Sequence, residues 1–193
     1  MKNAICVFCG SSPGTEESYS QAAEELAKAL AKNGLSLVYG GGSLGLMGKM
    51  ADVVLGNGGT VVGVIPEFMS QKEVMHRGLS EIHIVSSMHE RKALMGNLAD
   101  AFICLPGGVG TLEEMFEVIS WLQLGIHNKP VSILNIDSYY DKLLDFLQYS
   151  VEKGFIRQEN FERIIIDTDP ERLLYSIYDS SKNRIFSFDD SFT

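Results

Sequence analysis

Short apolar runs alternate with longer amphipathic segments along almost the whole chain. The runs predict β-strands at residues 4–8, 36–39, 60–65, 82–85, 101–105, 131–135 and 163–166. Between most of them, apolar positions recur at three- and four-residue spacing, which predicts helices at residues 18–32, 46–55, 88–98, 111–124 and 139–151 and after residue 170. The order of elements is therefore that of an α/β protein.

Some of the predicted strands are nearly all apolar. Residues 101–105, for example, read AFICL, which is typical of a strand in a parallel sheet that helices cover on both sides. We predict an α/β, single-domain, Rossmann-like doubly wound parallel sheet with helices on both faces over residues 1–185, followed by a frayed tail at 186–193. Glycine or small polar residues follow three strands, at 10–12, 40–45 and 107–110. Ligands bind beyond the carboxyl ends of such strands, so we expect these loops to share one crevice.

Composition excludes some functions. The chain has 193 residues and a net charge of −9, which argues against a nucleic-acid-binding surface. The three cysteines, Cys6, Cys9 and Cys104, lie in apolar runs that look like strands, and their odd number predicts reduced, buried thiols and a cytoplasmic location. No apolar run approaches the ~20 residues of a membrane span, so we expect a soluble protein.

Residues 106–114, PGGVGTLEE, carry the strongest chemical signal. The glycines let backbone N–H groups approach a ligand, and a helix beginning near Thr111 directs its positive end to the same place, so the segment predicts a phosphate site. Glu113 and Glu114 would repel a phosphate that they only faced. A carboxylate there suits cleavage of a glycosidic bond, whose transition state resembles an oxocarbenium ion. Alternatively, the glutamates are favourable charges in the first turn of a helix.

A second glycine-rich loop, residues 40–45, reads GGGSLG and satisfies G-x-G-x-x-G, with Glu67 downstream to meet a ribose. It follows the second strand rather than the first, so a mononucleotide or sugar phosphate is favoured over a dinucleotide or a purely structural turn. Gly41, Gly42 and Ser43 would then assist in phosphate binding.

Arg91 and Lys92 lie near the start of a predicted helix, where its dipole disfavours cations. Binding an anion or pairing with a carboxylate would explain them; the alternative is a solvated positive patch. The four histidines show no metal-ligand spacing, and we predict no metal site. Glu73 lies in the polar stretch 70–78, which favours a surface loop, with a lid as the alternative.

Three motifs together, PGGVGTLEE at 106–114, MHERK at 88–92 and YGGG at 39–42, closely resemble the LONELY GUY (LOG) family of cytokinin riboside 5′-monophosphate phosphoribohydrolases. The likeness extends over residues 5–149. The resemblance implies a homodimeric Rossmann-like enzyme that hydrolyses the N-glycosidic bond of N6-modified AMP to free base and ribose 5-phosphate, without metal or redox cofactor.

The resemblance also implies roles for individual residues. Arg91 and Glu114 fall on the catalytic pair, and Glu73 and Lys92 on further substrate contacts. Ser120 keeps a hydroxyl where relatives often have threonine. The nucleotide-binding loop comprises Gly108, Val109, Gly110, Thr111 and Glu113, to which the glycine pattern adds Gly107.

Two other functions remain open at this point. A non-catalytic nucleotide sensor or carrier would use the same phosphate site without cleaving its ligand. A lysine decarboxylase, the older label of the family, would need a Schiff-base lysine for pyridoxal phosphate. Lys49, Lys92 and Lys129 are candidates by position only, although Arg91 could lower the pKa of Lys92. No acid that would accompany the pyridinium nitrogen is identifiable.

Overall fold

The computed structural model describes residues 3–70 and 75–181. Its seven strands form one sheet in the order β4-β3-β2-β1-β5-β6-β7, and every neighbouring pair is parallel. The strands are β1 Ala4–Phe8, β2 Ser36–Tyr39, β3 Val61–Pro66, β4 Glu81–Val85, β5 Ala101–Cys104, β6 Val131–Leu134 and β7 Ile164–Asp167. The helices are α1 Glu17–Lys32, α2 Gly45–Gly56, α3 Glu67–Ser70, α4 Met88–Leu98, α5 Val109–Leu124, α6 Asp141–Glu152, α7 Gln158–Phe161 and α8 Pro170–Ser180. The predicted fold class is confirmed.

The sheet separates two apolar layers. Ile5 and Val7 of β1 point into one, while Cys6 and Phe8 point into the other. The central strands carry no polar face, because a strand covered by helices on both sides buries its side chains. The edge strands β4 and β7 are less covered, and Ile84 and Ile166 are exposed. All three cysteines are free and buried, as predicted.

The direction of the chain across the sheet reverses beside β1. Strands β2 to β4 extend to one side and β5 to β7 to the other, so the crevice between β1 and β5 is the topological switch point. The two strand ends are tied together, because the Gly10 N–H donates to the Pro106 carbonyl oxygen at 3.0 Å. A ligand site is expected at this place in a doubly wound sheet.

Helix α5 begins at Val109, two residues earlier than the sequence predicted. Gly108 has an extended backbone and acts as the N-cap, so the helix follows the glycine loop directly. Glu113 and Glu114 consequently lie in the second turn, and the interpretation that they are merely first-turn charges is wrong. The predicted tail, residues 186–193, lies outside the described residues. Among the helices that are described, none has the length and apolar character to cross a membrane.

Candidate active site

A cleft of about 340 Å³ opens at the carboxyl ends of β1 and β5. It is lined by Cys9 and Ser11 after β1, by Met47, Met69, Met88 and Arg91 on the neighbouring helices, and by Gly108, Val109, Gly110, Thr111, Glu113 and Glu114 at the start of α5. The structure therefore brings the two predicted catalytic residues and most of the predicted nucleotide loop to one place.

Arg91 is buried, and each part of its guanidinium has a neighbour. Its Nε donates to the Val64 carbonyl oxygen at 3.2 Å, and its Nη2 lies 3.7 Å from Oε1 of Glu114. That separation exceeds an ordinary hydrogen bond, so the pair interacts through charge rather than through a bidentate contact. A Cβ on Gly40 would collide with the guanidinium, so the glycine after β2 makes room for Arg91.

Glu114 is the titratable group best placed for chemistry. Burial raises the pKa of its carboxyl to about 7; the Arg91 cation opposes this rise, and the neighbouring Glu113 adds to it. A carboxyl with a pKa near neutrality can exchange a proton with a reacting group at physiological pH. The sequence identified Glu114 as a candidate, but it could not predict this burial.

The beginning of α5 presents open backbone donors. The N–H groups of Val109, Gly110 and Thr111 precede the first intrahelical bond, which Leu112 donates to the Gly108 carbonyl oxygen at 3.1 Å. A Cβ at Gly108 or Gly110 would meet no atom within 4 Å. These donors lie at the positive end of a 16-residue helix, which favours an anion.

Gly107 serves packing instead. A Cβ there would collide with the side chain of Thr111 and would approach the Gly10 nitrogen at 2.9 Å. The glycine thus allows the loops after β1 and β5 to touch, and it borders the cleft rather than lining it.

A second compartment of about 280 Å³ adjoins the cleft and shares Ser11 and Gly108 with it. Its walls include two aromatic rings, Tyr19 and Tyr139, whose centroids lie 5.7 Å apart in an edge-to-face arrangement. Sequence reasoning missed this compartment. In the sequence, the only indication of this compartment is the adjacent pair Tyr139 and Tyr140 after β6, and such a pair is common beside a helix.

Lys92 connects α4 to α5. Its Nζ lies 2.5 Å from Oε1 of Glu113 and 2.9 Å from Oε1 of Glu117. Burial tends to lower the pKa of Lys92, but the hydrogen bonds to the two carboxylates outweigh it, and the pKa is raised. The idea that Arg91 lowers it is therefore wrong. Arg91 and Lys92 are both largely buried and paired, so they do not form a solvated patch. Glu117 was not predicted.

Other predicted contacts lie away from the cleft or outside the described residues. Gly41 has a φ of +78°, and its carbonyl oxygen accepts from the His76 N–H at 3.0 Å. Gly42 forms a β-bridge with Met75. Gly41, Gly42 and Ser43 do not line the cleft. Ser120 is exposed on α5, beyond the cleft lining. Glu73 lies outside the described residues. Their roles as ligand contacts stay predictions.

The lysines do not fit a Schiff base with pyridoxal phosphate. Lys49 pairs with Glu24 at 3.0 Å, and Lys129 donates to the Gly96 carbonyl oxygen at 2.7 Å. Neither these two nor Lys92 line the cleft, so an amine that could bond to a cofactor there is missing from the three candidates. The residues present do not support decarboxylase chemistry.

Solved structures with the same fold include a molybdenum cofactor binding protein of Rippkaea orientalis, at a TM-score of 0.70 and 20% identity, covering 93% of this chain and 97% of that one. The Moco carrier protein of Chlamydomonas reinhardtii is similar at a TM-score of 0.70 and 20% identity, with 94% and 99% covered. At this level of identity the likeness concerns the fold alone.

Sequence relatives are much more similar. A family described as possible lysine decarboxylase matches residues 47–177. A cytokinin riboside 5′-monophosphate phosphoribohydrolase of Rhodococcoides fascians is 50% identical over 175 residues, which cover 90% of this chain and 88% of the relative. The enzyme LOG of Oryza sativa subsp. japonica is 53% identical over 170 residues, 88% of this chain and 70% of that protein. The chain therefore belongs to the LOG family, in which these phosphoribohydrolases are found.

Proposed function

We propose that this protein hydrolyses the N-glycosidic bond of adenosine 5′-monophosphate and its N6-modified forms, releasing free base and ribose 5-phosphate. The observation that carries the proposal is the largely buried Glu114, whose carboxyl has a pKa raised to about 7, in one cleft with Arg91 and the open start of α5. The names of the relatives support the same reaction.

The 5′-phosphate binds at the start of α5. The N–H groups of Val109, Gly110 and Thr111 supply donors there, and the helix dipole supplies positive potential without a bulky side chain. Arg91 adds a full positive charge at the cleft wall, so it can orient the anion as well as pair with Glu114.

Glu114 acts at the anomeric carbon. As the C1′–N bond breaks, the electron pair of that bond leaves with the base, the base takes up a proton from solvent water, and positive charge develops on the ribose. The ionised carboxylate stabilises this charge and accepts a proton from the water that attacks C1′. A pKa near 7 keeps a useful fraction of Glu114 ionised at neutral pH.

The base lies against the apolar side of the cleft. Met47, Met69 and Met88 line it, and methionine adapts its shape to a ligand more readily than branched residues do. This wall suits a base whose N6 substituent varies. Glu113 lines the same cleft while bound to Lys92, which places it to accept hydrogen bonds from ribose hydroxyls.

We also propose a homodimer in the cytoplasm. Leu124 at the end of α5 is 74% exposed and Ile126 beside it is 65% exposed, which supports a second copy covering this end of the helix. Three free cysteines, all buried, support a reducing compartment. Size-exclusion chromatography with light scattering measures the mass; a monomer at micromolar concentration contradicts the dimer.

A substrate panel tests the function. AMP, N6-isopentenyl-AMP and adenosine are incubated with the protein, and free base is quantified by chromatography. Both monophosphates should release base, whereas adenosine should react at least about 100-fold more slowly because it cannot use the anion site. Binding of AMP by calorimetry without release of adenine would instead identify a sensor or carrier.

A further inference from the structure

The peptide between Gly107 and Gly108 is held from outside the cleft. The hydroxyl of Tyr139 donates to the Gly107 carbonyl oxygen at 2.6 Å. Tyr139 follows β6 and lines the second compartment, so it contacts the glycine loop from that compartment rather than from the cleft. The reaction as proposed does not otherwise use this contact.

An anchor is needed at this peptide because glycine flanks it on both sides. Glycine tolerates both signs of φ, so a Gly–Gly peptide can rotate with little steric resistance. In a trans peptide the carbonyl and the following N–H point in opposite directions, and the described residues contain no cis bond. Holding the Gly107 carbonyl toward Tyr139 therefore turns the Gly108 N–H away from Tyr139.

The preceding peptide is held in the same manner. The Gly10 N–H donates to the Pro106 carbonyl oxygen at 3.0 Å, which fixes the direction of the Gly107 N–H. Two consecutive peptides of the loop are thus oriented by neighbours from β1 and β6. Gly108 itself borders both compartments, and a Cβ there would meet no atom within 4 Å, so a ligand can approach its backbone.

The turn that precedes Tyr139 has a strained backbone that hydrogen bonds hold in place. Asp137 and Ser138 both have positive φ, at 48° and 57°, a conformation that costs non-glycine residues of order 1–3 kcal/mol each. The Ser18 hydroxyl donates to the Asp137 carboxylate, and the Tyr140 N–H donates to the Asn135 side-chain oxygen at 2.8 Å. These contacts maintain the turn that directs Tyr139 at the loop.

We propose that Tyr139 is a positioning residue which, through the Gly107 carbonyl, keeps the Gly108 N–H available as a donor to the substrate phosphate. The inference rests on the proposed function, because it assigns the phosphate to this loop. Tyr139 does not touch the reacting atoms in this account; it acts through one backbone peptide.

Tyr140 offers a matched control. Its hydroxyl donates to the Leu105 carbonyl oxygen at 2.7 Å, but the next residue is Pro106, which has no N–H to orient. Tyr139→Phe and Tyr140→Phe each remove one tyrosine hydroxyl that bonds the same loop. Only the first removal releases a peptide that could donate to phosphate.

The test measures dissociation constants of ribose 5-phosphate and of adenosine by calorimetry for the wild type and both variants. Tyr139→Phe should weaken ribose 5-phosphate binding about tenfold, as expected for one misdirected hydrogen bond to a charged group, and leave adenosine binding unchanged. Tyr140→Phe should lower the melting temperature by a few degrees because its hydroxyl is buried, with ribose 5-phosphate affinity unchanged.

Equal ribose 5-phosphate affinities in both variants, whether retained or weakened together, would overturn the positioning role. Hydrolysis of AMP by the wild type is measured in parallel. If no base is released while the tenfold, variant-specific loss of ribose 5-phosphate affinity is seen, the proposed reaction fails and the role of Tyr139 stands.

Discussion

Two glycine-rich loops leave strands on either side of β1, and their glycines have different surroundings. In the loop after β2, a Cβ on Gly40 would strike Arg91, and a Cβ on Gly45 would strike the backbone of Ser11. In the loop after β5, the positions of Gly108 and Gly110 open onto free space. The first loop is packed against protein at Gly40 and Gly45, whereas the second is accessible to a ligand at Gly108 and Gly110.

The difference shows that a glycine motif indicates close approach to the backbone, but not whether protein atoms or a ligand make that approach. The loop after β2 satisfies the dinucleotide spacing better, yet its glycines admit an arginine and a neighbouring loop. The loop after β5 leaves helix N–H groups open and continues into the helix that carries Glu114. The contacts show that the first loop makes room for Arg91, and the open donors of the second loop support the proposal that it binds the phosphate.

The largest expected effect on turnover comes from the first loop. Gly40→Ala should lower kcat by about 100-fold or more, close to the loss in Arg91→Gln, because the added methyl displaces the guanidinium from its place beside Glu114. Steady-state kinetics of both variants and the double variant measure this. If Gly40→Ala retains wild-type turnover with a normal melting temperature, Gly40 does not position Arg91.

A second substitution in the first loop should affect folding more than catalysis. Gly45 has a φ of +61°, and a Cβ there would meet the Ser11 backbone, so Gly45→Ala combines strain with a clash that no side chain can relieve. We expect a loss of about 2–4 kcal/mol in the free energy of unfolding. Urea denaturation measures it. A loss below about 0.5 kcal/mol would show that the loop after β2 does not pack against the loop after β1 as described.

The pH dependence of kcat/KM tests the role of Glu114, which lies on the helix that follows the second loop. Because Glu114 must be ionised and burial raises its pKa to about 7, kcat/KM should fall on the acid side of that pH and level off above it. Arg91 lowers the pKa of Glu114, so Arg91→Gln should move this fall to higher pH. Glu113→Gln serves as the control. Its kcat/KM should still fall on the acid side, but at slightly lower pH, because loss of the neighbouring negative charge lowers the pKa of Glu114. If kcat/KM of Arg91→Gln falls at the same pH as that of the wild type, the charge of Arg91 does not affect the pKa of Glu114.

The smallest effect is expected in the second loop itself. Gly110 lies in the first turn of α5 with open space around it, so Gly110→Ala should leave stability unchanged or raise it by up to about 1 kcal/mol. The methyl would nevertheless crowd the anion site and weaken AMP binding by about tenfold. Thermal unfolding and calorimetry measure the two effects. A stability loss like that of Gly45→Ala would show that Gly110 is packed against protein and not open to a ligand.

The sequence predicted the sheet and the meeting of the loops after β1 and β5 because periodicity and loop composition are local properties. The expectation that residues 40–45 share the same crevice is not met, because none of them lines the cleft. The boundary of α5 was displaced by two residues, since the N-cap is a glycine whose conformation depends on its neighbours. Distant contacts were not predictable: Tyr139 lies 32 residues from Gly107, and the Glu117 partner of Lys92 lies on another helix. The burial that changes the pKa of Glu114 also depends on packing from several elements.

The central claim is that Glu114 performs the chemistry while α5 binds the phosphate. Wild type, Glu114→Gln and Glu113→Gln are each incubated with AMP, and adenine and ribose 5-phosphate are quantified by chromatography alongside AMP binding. We predict equimolar products from the wild type, turnover at least about 100-fold slower in Glu114→Gln with AMP affinity retained, and a smaller loss in Glu113→Gln. Wild-type turnover in Glu114→Gln, or bound AMP that the wild type never cleaves, would contradict the account.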